Sequence, residues 1–331
     1  MAEARHWRAE EGGRVRCELC PQNCAIPEGG HGICLGRVNR GGVLCAENFA
    51  RCVSVAVDPI EKKPLYHVCP GAGILSVACN GCNLRCDHCQ NWEIAQEPAR
   101  TSPLPASELV RIALESRSFG IAYTYTEPLV WFEYLLEAGA LARERGLKNV
   151  LVTNGVVNEG PLRELLPLVD AMNVDLKSMR SEFYREHCHA AGGLEAAKRT
   201  VRVAAPVCHV EVTNLLIPGL NDSDAETREL VDFIADVDVR MPLHFTRYFP
   251  HHRMTIPPTP VATVARAADI AREKLYYVYV GNVDMHDGSD TKCPACGNVL
   301  VRRRGGDVAV TGVREHACAR CGREADFLWC E

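Results

Sequence analysis

Three cysteines, Cys82, Cys86 and Cys89, stand in a CxxxCxxC spacing directly after the apolar run from Gly73 to Ala78. Three thiolates on one tight loop can hold three irons of a four-iron cubane, and this loop has no fourth cysteine for the last iron. That iron is left open to a ligand. A structural zinc would need a fourth protein ligand, and besides Asp87 only His88 lies inside the triplet.

Two further cysteine sets flank this loop. Cys17, Cys20 and Cys24 are followed by Cys34 on a glycine-rich stretch, four thiols within eighteen positions. Glycine lets the backbone fold around a metal, so a closed four-ligand site is expected there, either zinc or an auxiliary iron–sulfur cluster, with zinc the first expectation. Cys293-x-x-Cys296-Gly297 and Cys318-x-x-Cys321-Gly322 form two knuckles separated by a strand-turn-strand pattern through Gly305-Gly306-Asp307. Paired knuckles of this kind read as a zinc ribbon or rubredoxin-like module. The other seven cysteines, at 45, 52, 69, 79, 188, 208 and 330, are expected as buried small apolar residues.

Composition sets the frame for these sites. The chain has 331 residues, 47% of them hydrophobic, and a net charge of −5. It lacks the Lys/Arg stripe that neutralises phosphates, so small molecules or proteins are expected as partners, not nucleic acid. No apolar leader opens the chain and no run of eighteen apolar residues spans a membrane, so the eighteen cysteines read as those of a cytoplasmic, thiol-rich protein.

From 73 to 282, short apolar runs alternate with longer amphipathic ones, which predicts a parallel α/β architecture. Strands are expected at 74–78, 120–125, 149–153, 171–176, 207–217, 242–247 and 275–280. Helices fit between them at 107–117, 128–145, 159–168, 181–203, 224–235 and 260–274. Six or seven βα units would close part of a barrel. Three segments follow: a four-cysteine metal-binding segment over 1–69, the barrel over 70–285 and the knuckle module over 286–331.

Barrel chemistry collects at the carboxyl ends of the strands, so polar residues should follow them. Thr124 to Glu127, Thr153-Asn154-Gly155, Asp175 to Lys177, Thr213-Asn214, His244 and Asn282 all do. Glu127 could accept a hydrogen bond from a ligand amino group, or stabilise a helix start. Asp175 and Lys177, two apart on a strand, point to one side, as a pair in the mouth or a plain ion pair. Thr153 and Asn154 are suited to a ribose or carboxylate, and His244 to adenine or to a core hydrogen bond. His187-Cys188-His189 is not expected to chelate, because residues two apart on a helix do not face each other. His251-His252 has no evident ligand partner.

The cluster loop resembles that of radical SAM enzymes, with His88 where an aromatic ring usually stands. Over nearly its whole length the chain resembles the radical SAM member of the AmmeMemoRadiSam system, related to the pyruvate formate-lyase activating enzymes. The residues carrying this run from Cys17-x-x-Cys20-Pro21-x-x-Cys24 and Gly32-x-Cys34, through Asp58-Pro59-Ile60-Glu61-Lys62-Lys63-Pro64-Leu65-Tyr66-His67, to the cluster loop. Tyr123 to Pro128, Thr153-Asn154-Gly155, Asp175-Leu176-Lys177, Ile217-Pro218-Gly219 and the terminal knuckles follow. The resemblance implies a partial (β/α)6 barrel in which Cys82, Cys86 and Cys89 hold a 4Fe-4S cluster. It also implies an S-adenosyl-L-methionine site of Glu127, Asn154, Asp175 and Lys177, reductive cleavage to a 5'-deoxyadenosyl radical, and an unidentified small-molecule substrate. The activating enzymes carry Gly-Gly-Glu where this chain has Tyr125-Thr126-Glu127. An electron donor such as flavodoxin or ferredoxin, and Memo-like and AMMECR-like proteins, are the implied partners. A glycyl-radical activase is the alternative function. The string from Asp58 to Leu65 reads as loop packing against the barrel, or as partner contact through Lys62 and Lys63.

Overall fold

The computed structural model describes residues 1–283 and 288–330; the boundary expected between 285 and 286 lies outside the described residues. The main sheet has eight strands: β1 (Ser54–Pro59), β2 (Gly73–Ala78), β3 (Gly120–Tyr123), β4 (Lys148–Thr153), β5 (Ala171–Asp175), β6 (His209–Leu216), β7 (Leu243–Arg247) and β8 (Val278–Gly281). They lie side by side in chain order, β2 to β8 parallel and β1 antiparallel to β2. All seven strands expected from the sequence form. The helices between them are α1 (Ala106–Glu115), α2 (Phe132–Glu144), α3 (Glu159–Leu165), α4 (Ser181–His187), α5 (Gly193–Ala204), α6 (Asp224–Val237) and α7 (Val261–Arg272). The single helix expected over 181–203 is instead two, because the chain passes through residues 188–192 with Gly192 at φ +74°. That break carries Cys188 and His189 out of helical geometry. Among the described residues, no helix is long and apolar enough to cross a membrane.

Alternation along the strands divides the sheet into two faces. Leu75, Val77, Ile121, Tyr123, Leu151, Met172 and Val174 join the large core beneath the helices. The opposite residues are smaller or polar, and residues 60–69 pack onto them. Ile60, Leu65, Val68 and Cys69 cluster with Ile74, Ala122, Val150 and Ala171. Asn173 Nδ2 donates to the Pro64 carbonyl at 2.7 Å, and the amides of Tyr66 and His67 donate to Glu211 at 3.0 and 2.7 Å. Asp58 and Pro59 close β1, and from Ile60 to Leu65 the string is a plug against the inner face of the sheet. Lys63 is buried, 2.8 Å from Asp58, so it is not a partner contact; Lys62 remains exposed.

The amino-terminal segment is built of short strands, with Trp7–Ala9, Val15–Cys17 and Ala25–Ile26 forming one antiparallel sheet. It is fixed to α2 by a buried pair, Arg37 to both carboxylate oxygens of Glu133 at 2.8 and 3.0 Å. At the other end, Val299–Arg304 and Asp307–Val310 make the expected strand-turn-strand. This module docks under the sheet, where His67 stacks on Phe327 and Arg303 lies over the Tyr66 ring. Cys69 and Cys330, expected as buried apolar residues, are joined there in a disulfide with Cα atoms 5.3 Å apart. Their 261-residue separation hid the pairing from the sequence.

Candidate active site

The loop after β2 is held from three sides. Gly81, at φ +109°, lets the backbone carbonyl of Cys34 pass where a Cβ would stand. Arg85 donates to the Ile33 carbonyl, and Gln22 Nε2 donates to the Asn83 carbonyl at 2.8 Å. The end of α4 grips the loop from a second side: the amides of Arg85 and Asp87 donate to the carbonyls of Cys188 and His187 at 3.0 and 2.9 Å. His189 Nε2 lies 3.0 Å from Asp87 Oδ1 and His187 Nδ1 3.6 Å from its partner oxygen. His187 and His189 thus converge on Asp87 and clamp the cluster loop through it. His251 Nε2 meets the Gln90 carbonyl at 3.0 Å and His252 stacks on Trp92, completing the third side.

Cys82, Cys86 and Cys89 all line one cavity of about 480 Å³ at the carboxyl ends of the strands, and none is in a disulfide. That volume is in the range of small-molecule sites. Thr124, Tyr125, Thr126, Glu127, Thr153, Asn154, Asp175, Lys177, Thr213 and Asn282 line it too. Two residues of the expected strand-end set behave differently. Asn214 spends its amide on the Leu176 carbonyl at 2.8 Å. His244 does not line the cavity: it is buried deeper, with Nε2 2.6 Å from Glu211 Oε2 and its ring against Tyr66 and Tyr279. Its adenine reading gives way to the core one, because the plug and Glu211 occupy the space in front of it.

Glu127 orders the cavity wall. Its Oε1 accepts from Thr153 Oγ1 at 2.6 Å and Leu129 N at 3.0 Å, and its Oε2 accepts from Asn154 N at 2.8 Å. Burial pushes its carboxyl up to about 7 against these three donors. Asn154 Nδ2 reaches Asn83 Oδ1 at 2.9 Å and Cys82 Sγ at 3.6 Å, tying β4 to the cluster loop. Lys177 Nζ lies 3.1 Å from Asp175 Oδ2; burial works against its charge, but Asp175 and the neighbouring thiols hold its pKa well above the usual lysine value. His88 is buried with its ring near Phe183 and its Nδ1 without a hydrogen-bond partner.

Two groups at this site were not legible in the sequence. Cys188 is buried, and its carbonyl accepts from the Arg85 amide at 3.0 Å, next to Cys86 in the loop, yet it stands 99 positions beyond Cys89 in a motif whose spacing argues against ligation. Lys63 also lines the cavity; its Nζ lies 4.3 Å from the ring centre of Tyr125, one of the expected strand-end residues, and both reach Asp58, Tyr125 through its hydroxyl. Nothing in the motif string told that Lys63 would face inward.

Away from the cavity, Cys293, Cys296, Cys318 and Cys321 bring four sulfurs within 4.8 Å of one another. Cys293 and Cys321 are 3.6 Å apart and Cys296 and Cys318 3.7 Å. A tetrahedron with Zn–S bonds of about 2.3 Å spaces its sulfurs by about 3.8 Å, so this quartet fits one zinc-sized ion.

A parallel sheet with a three-cysteine loop at its carboxyl edge defines a class, and comparison with known proteins agrees. The Radical SAM superfamily model matches residues 76–234, and the chain belongs to this superfamily of enzymes. An uncharacterised protein of Methanocaldococcus jannaschii is 40% identical over 99% of this chain and all of that one. A GTP 3',8-cyclase of Moorella thermoacetica is 25% identical over 73% of this chain and 74% of its own. Among solved structures, Streptococcus suis SuiB bound to S-adenosylmethionine shares the fold with a TM-score of 0.51, at 15% identity, over 61% of this chain and 48% of that one.

Proposed function

We propose that this protein is a radical SAM enzyme that reductively cleaves S-adenosyl-L-methionine and directs the resulting radical onto a small molecule. The observation carrying this reading is the convergence of three free cysteines and a polar wall on one cavity. The residues fit the cofactors the superfamily uses: Cys82, Cys86 and Cys89 would hold a 4Fe-4S cluster, and Glu127, Asn154, Asp175 and Lys177, which line the same cavity, would receive the polar groups of the methionine and ribose. When bound, cluster and cosubstrate together supply a 5'-deoxyadenosyl radical. The protein's own part is to hold, orient and exclude. Glu127 fixes Thr153 and the Asn154 amide, Asn154 fixes Asn83, and residues 60–69 pack against the sheet with Lys63 and Pro64 lining the cavity.

A low-potential donor of the flavodoxin or ferredoxin class is the reading for the electron source; Memo-like and AMMECR-like partners follow from the family resemblance, and a cytoplasmic setting is the reading of the thiol-rich composition. The carboxyl-terminal quartet is read as a structural zinc site. Anaerobically reconstituted, reduced protein should form 5'-deoxyadenosine from S-adenosylmethionine, and Cys86→Ala should form none. Equal product from both would overturn the assignment.

A further inference from the structure

The amino-terminal cysteines form a third set of free thiols, more widely spaced than the carboxyl-terminal quartet. Cys17 sits at the end of one strand of a hairpin, its amide donating to the Cys24 carbonyl at 3.0 Å. Cys20 begins the intervening turn, where the Asn23 amide donates back to its carbonyl at 3.1 Å. Cys34 arrives from the next loop, its Sγ beside Gly32, where a Cβ would lie 3.7 Å from that sulfur and 3.9 Å from the Arg37 Cβ. Cys17 and Cys34 are buried and Cys20 and Cys24 half-buried, and all four are free thiols.

Four buried or half-buried thiols around one turn call for a metal, and their spacing bears on which one. Among the described residues, the cysteines of the carboxyl-terminal quartet are the ones whose sulfurs all come within 4.8 Å. The amino-terminal four do not form so tight a group, and neither do Cys82, Cys86 and Cys89. A single zinc draws its sulfurs to about 3.8 Å, whereas the irons of a cubane stand between its ligands and hold them farther apart. In this respect the amino-terminal set matches the cluster loop and not the zinc-sized quartet. A second observation points the same way. Arg37 is fully buried beside these cysteines, and its Nε has no hydrogen-bond partner although its terminal nitrogens are spent on Glu133 and the Arg5 carbonyl. A donor in that state suits the electron-rich, hydrogen-bond-accepting sulfurs of a cluster.

We infer that Cys17, Cys20, Cys24 and Cys34 hold a fully ligated iron–sulfur cluster of the 4Fe-4S type, seated against the back of the cavity's own cluster loop. Gln22, two residues after Cys20, donates to the Asn83 carbonyl at 2.8 Å, and the Asn83 side chain, through Asn154, reaches Cys82. The Cys34 carbonyl lies against Gly81, and Ile33 against Arg85. With four cysteine ligands the site has no open iron and binds no cosubstrate. The inference rests on this chain's own sulfurs and stands whether or not the cavity cleaves S-adenosylmethionine.

The test is metal analysis of the full chain. Wild-type protein, reconstituted with iron and sulfide and desalted, should carry about eight iron and about one zinc. The triple variant Cys82→Ala/Cys86→Ala/Cys89→Ala should keep about four iron and, when reduced, an electron paramagnetic resonance signal that S-adenosylmethionine leaves unchanged. Cys20→Ala/Cys24→Ala should lose about half of the wild-type iron while keeping the zinc. About four iron with two zinc in the wild type would overturn the inference, and needs no variant to fold. A folded triple variant devoid of iron would overturn it equally, whereas failure of the cavity reading would show separately, as absence of 5'-deoxyadenosine from a protein with full iron.

Discussion

Asn154 Nδ2 donates a 2.9 Å hydrogen bond to Asn83 Oδ1, joining the end of β4 to the middle of the cysteine loop, while Asn83 Nδ2 donates at 2.6 Å to the Val156 carbonyl. Both bonds are buried, so removing the Asn83 amide strands a carbonyl and lets Asn154 turn away from the cavity. Loss of such a bond costs on the order of 1–2 kcal/mol. Asn83→Ala should therefore weaken S-adenosylmethionine binding by about tenfold while the iron at Cys82, Cys86 and Cys89 remains. Equilibrium binding to anaerobic protein, with iron analysis alongside, reads both quantities.

Glu127 gives the cavity a pH response. Burial raises its carboxyl to about 7 in the folded protein, above its ordinary value near 4.5. Between those values the native state holds a proton that the unfolded chain has released, so stability falls as pH rises through this window. The span corresponds to a loss on the order of 3 kcal/mol from pH 4.5 to above 7. Melting temperatures measured across that range should decline in the wild type, and Glu127→Gln should flatten the decline.

The half-buried Asp58 and the buried Lys63 form the ion pair that fastens the plug. Burial opposes the charged carboxylate, but the hydrogen bonds from Lys63 and Tyr125 overcome it and hold Asp58 well below the usual carboxylate range. The stability this supplies is present above about pH 4 and is lost as pH falls toward the lowered value. Asp58→Asn leaves the Lys63 ammonium buried without a counter-charge and should cost about 3–5 kcal/mol. The double variant Asp58→Asn/Lys63→Met should recover part of that loss in denaturant unfolding.

The Cys69–Cys330 disulfide fixes the carboxyl-terminal strap under the barrel, where Cys69 N donates to the Leu328 carbonyl and Leu328 N to the His67 carbonyl, each at 2.8 Å. Thiol titration of the unfolded, unreduced, metal-free chain should count sixteen free thiols, and eighteen after reduction. Cys330→Ser should speed exchange of the Cys69 and Leu328 amides at least tenfold, since closing so long a loop by a crosslink contributes about 4–5 kcal/mol. Unchanged exchange would show that packing of Phe327 against His67 holds the strap unaided.

Much of this was present in local sequence. The CxxxCxxC loop, the paired knuckles and the βα alternation are short-range patterns, and each folds as its spacing dictates because ligand geometry and strand period are set within a few residues. The seven parallel strands and the polar residues at their ends follow from the same periods. Tertiary structure decided what depends on residues far apart. It set His244 against Glu211 instead of the cavity, turned Lys63 inward onto Asp58, and broke the expected helix after His187 so that the Cys188 carbonyl meets the Arg85 amide of the cysteine loop. It also paired Cys69 with Cys330, and set the four amino-terminal sulfurs farther apart than one zinc would draw them. A sequence pattern names which side chains can share a face. Which distant face they meet is fixed only when the plug, the strands and the terminal modules compete for the same buried volume.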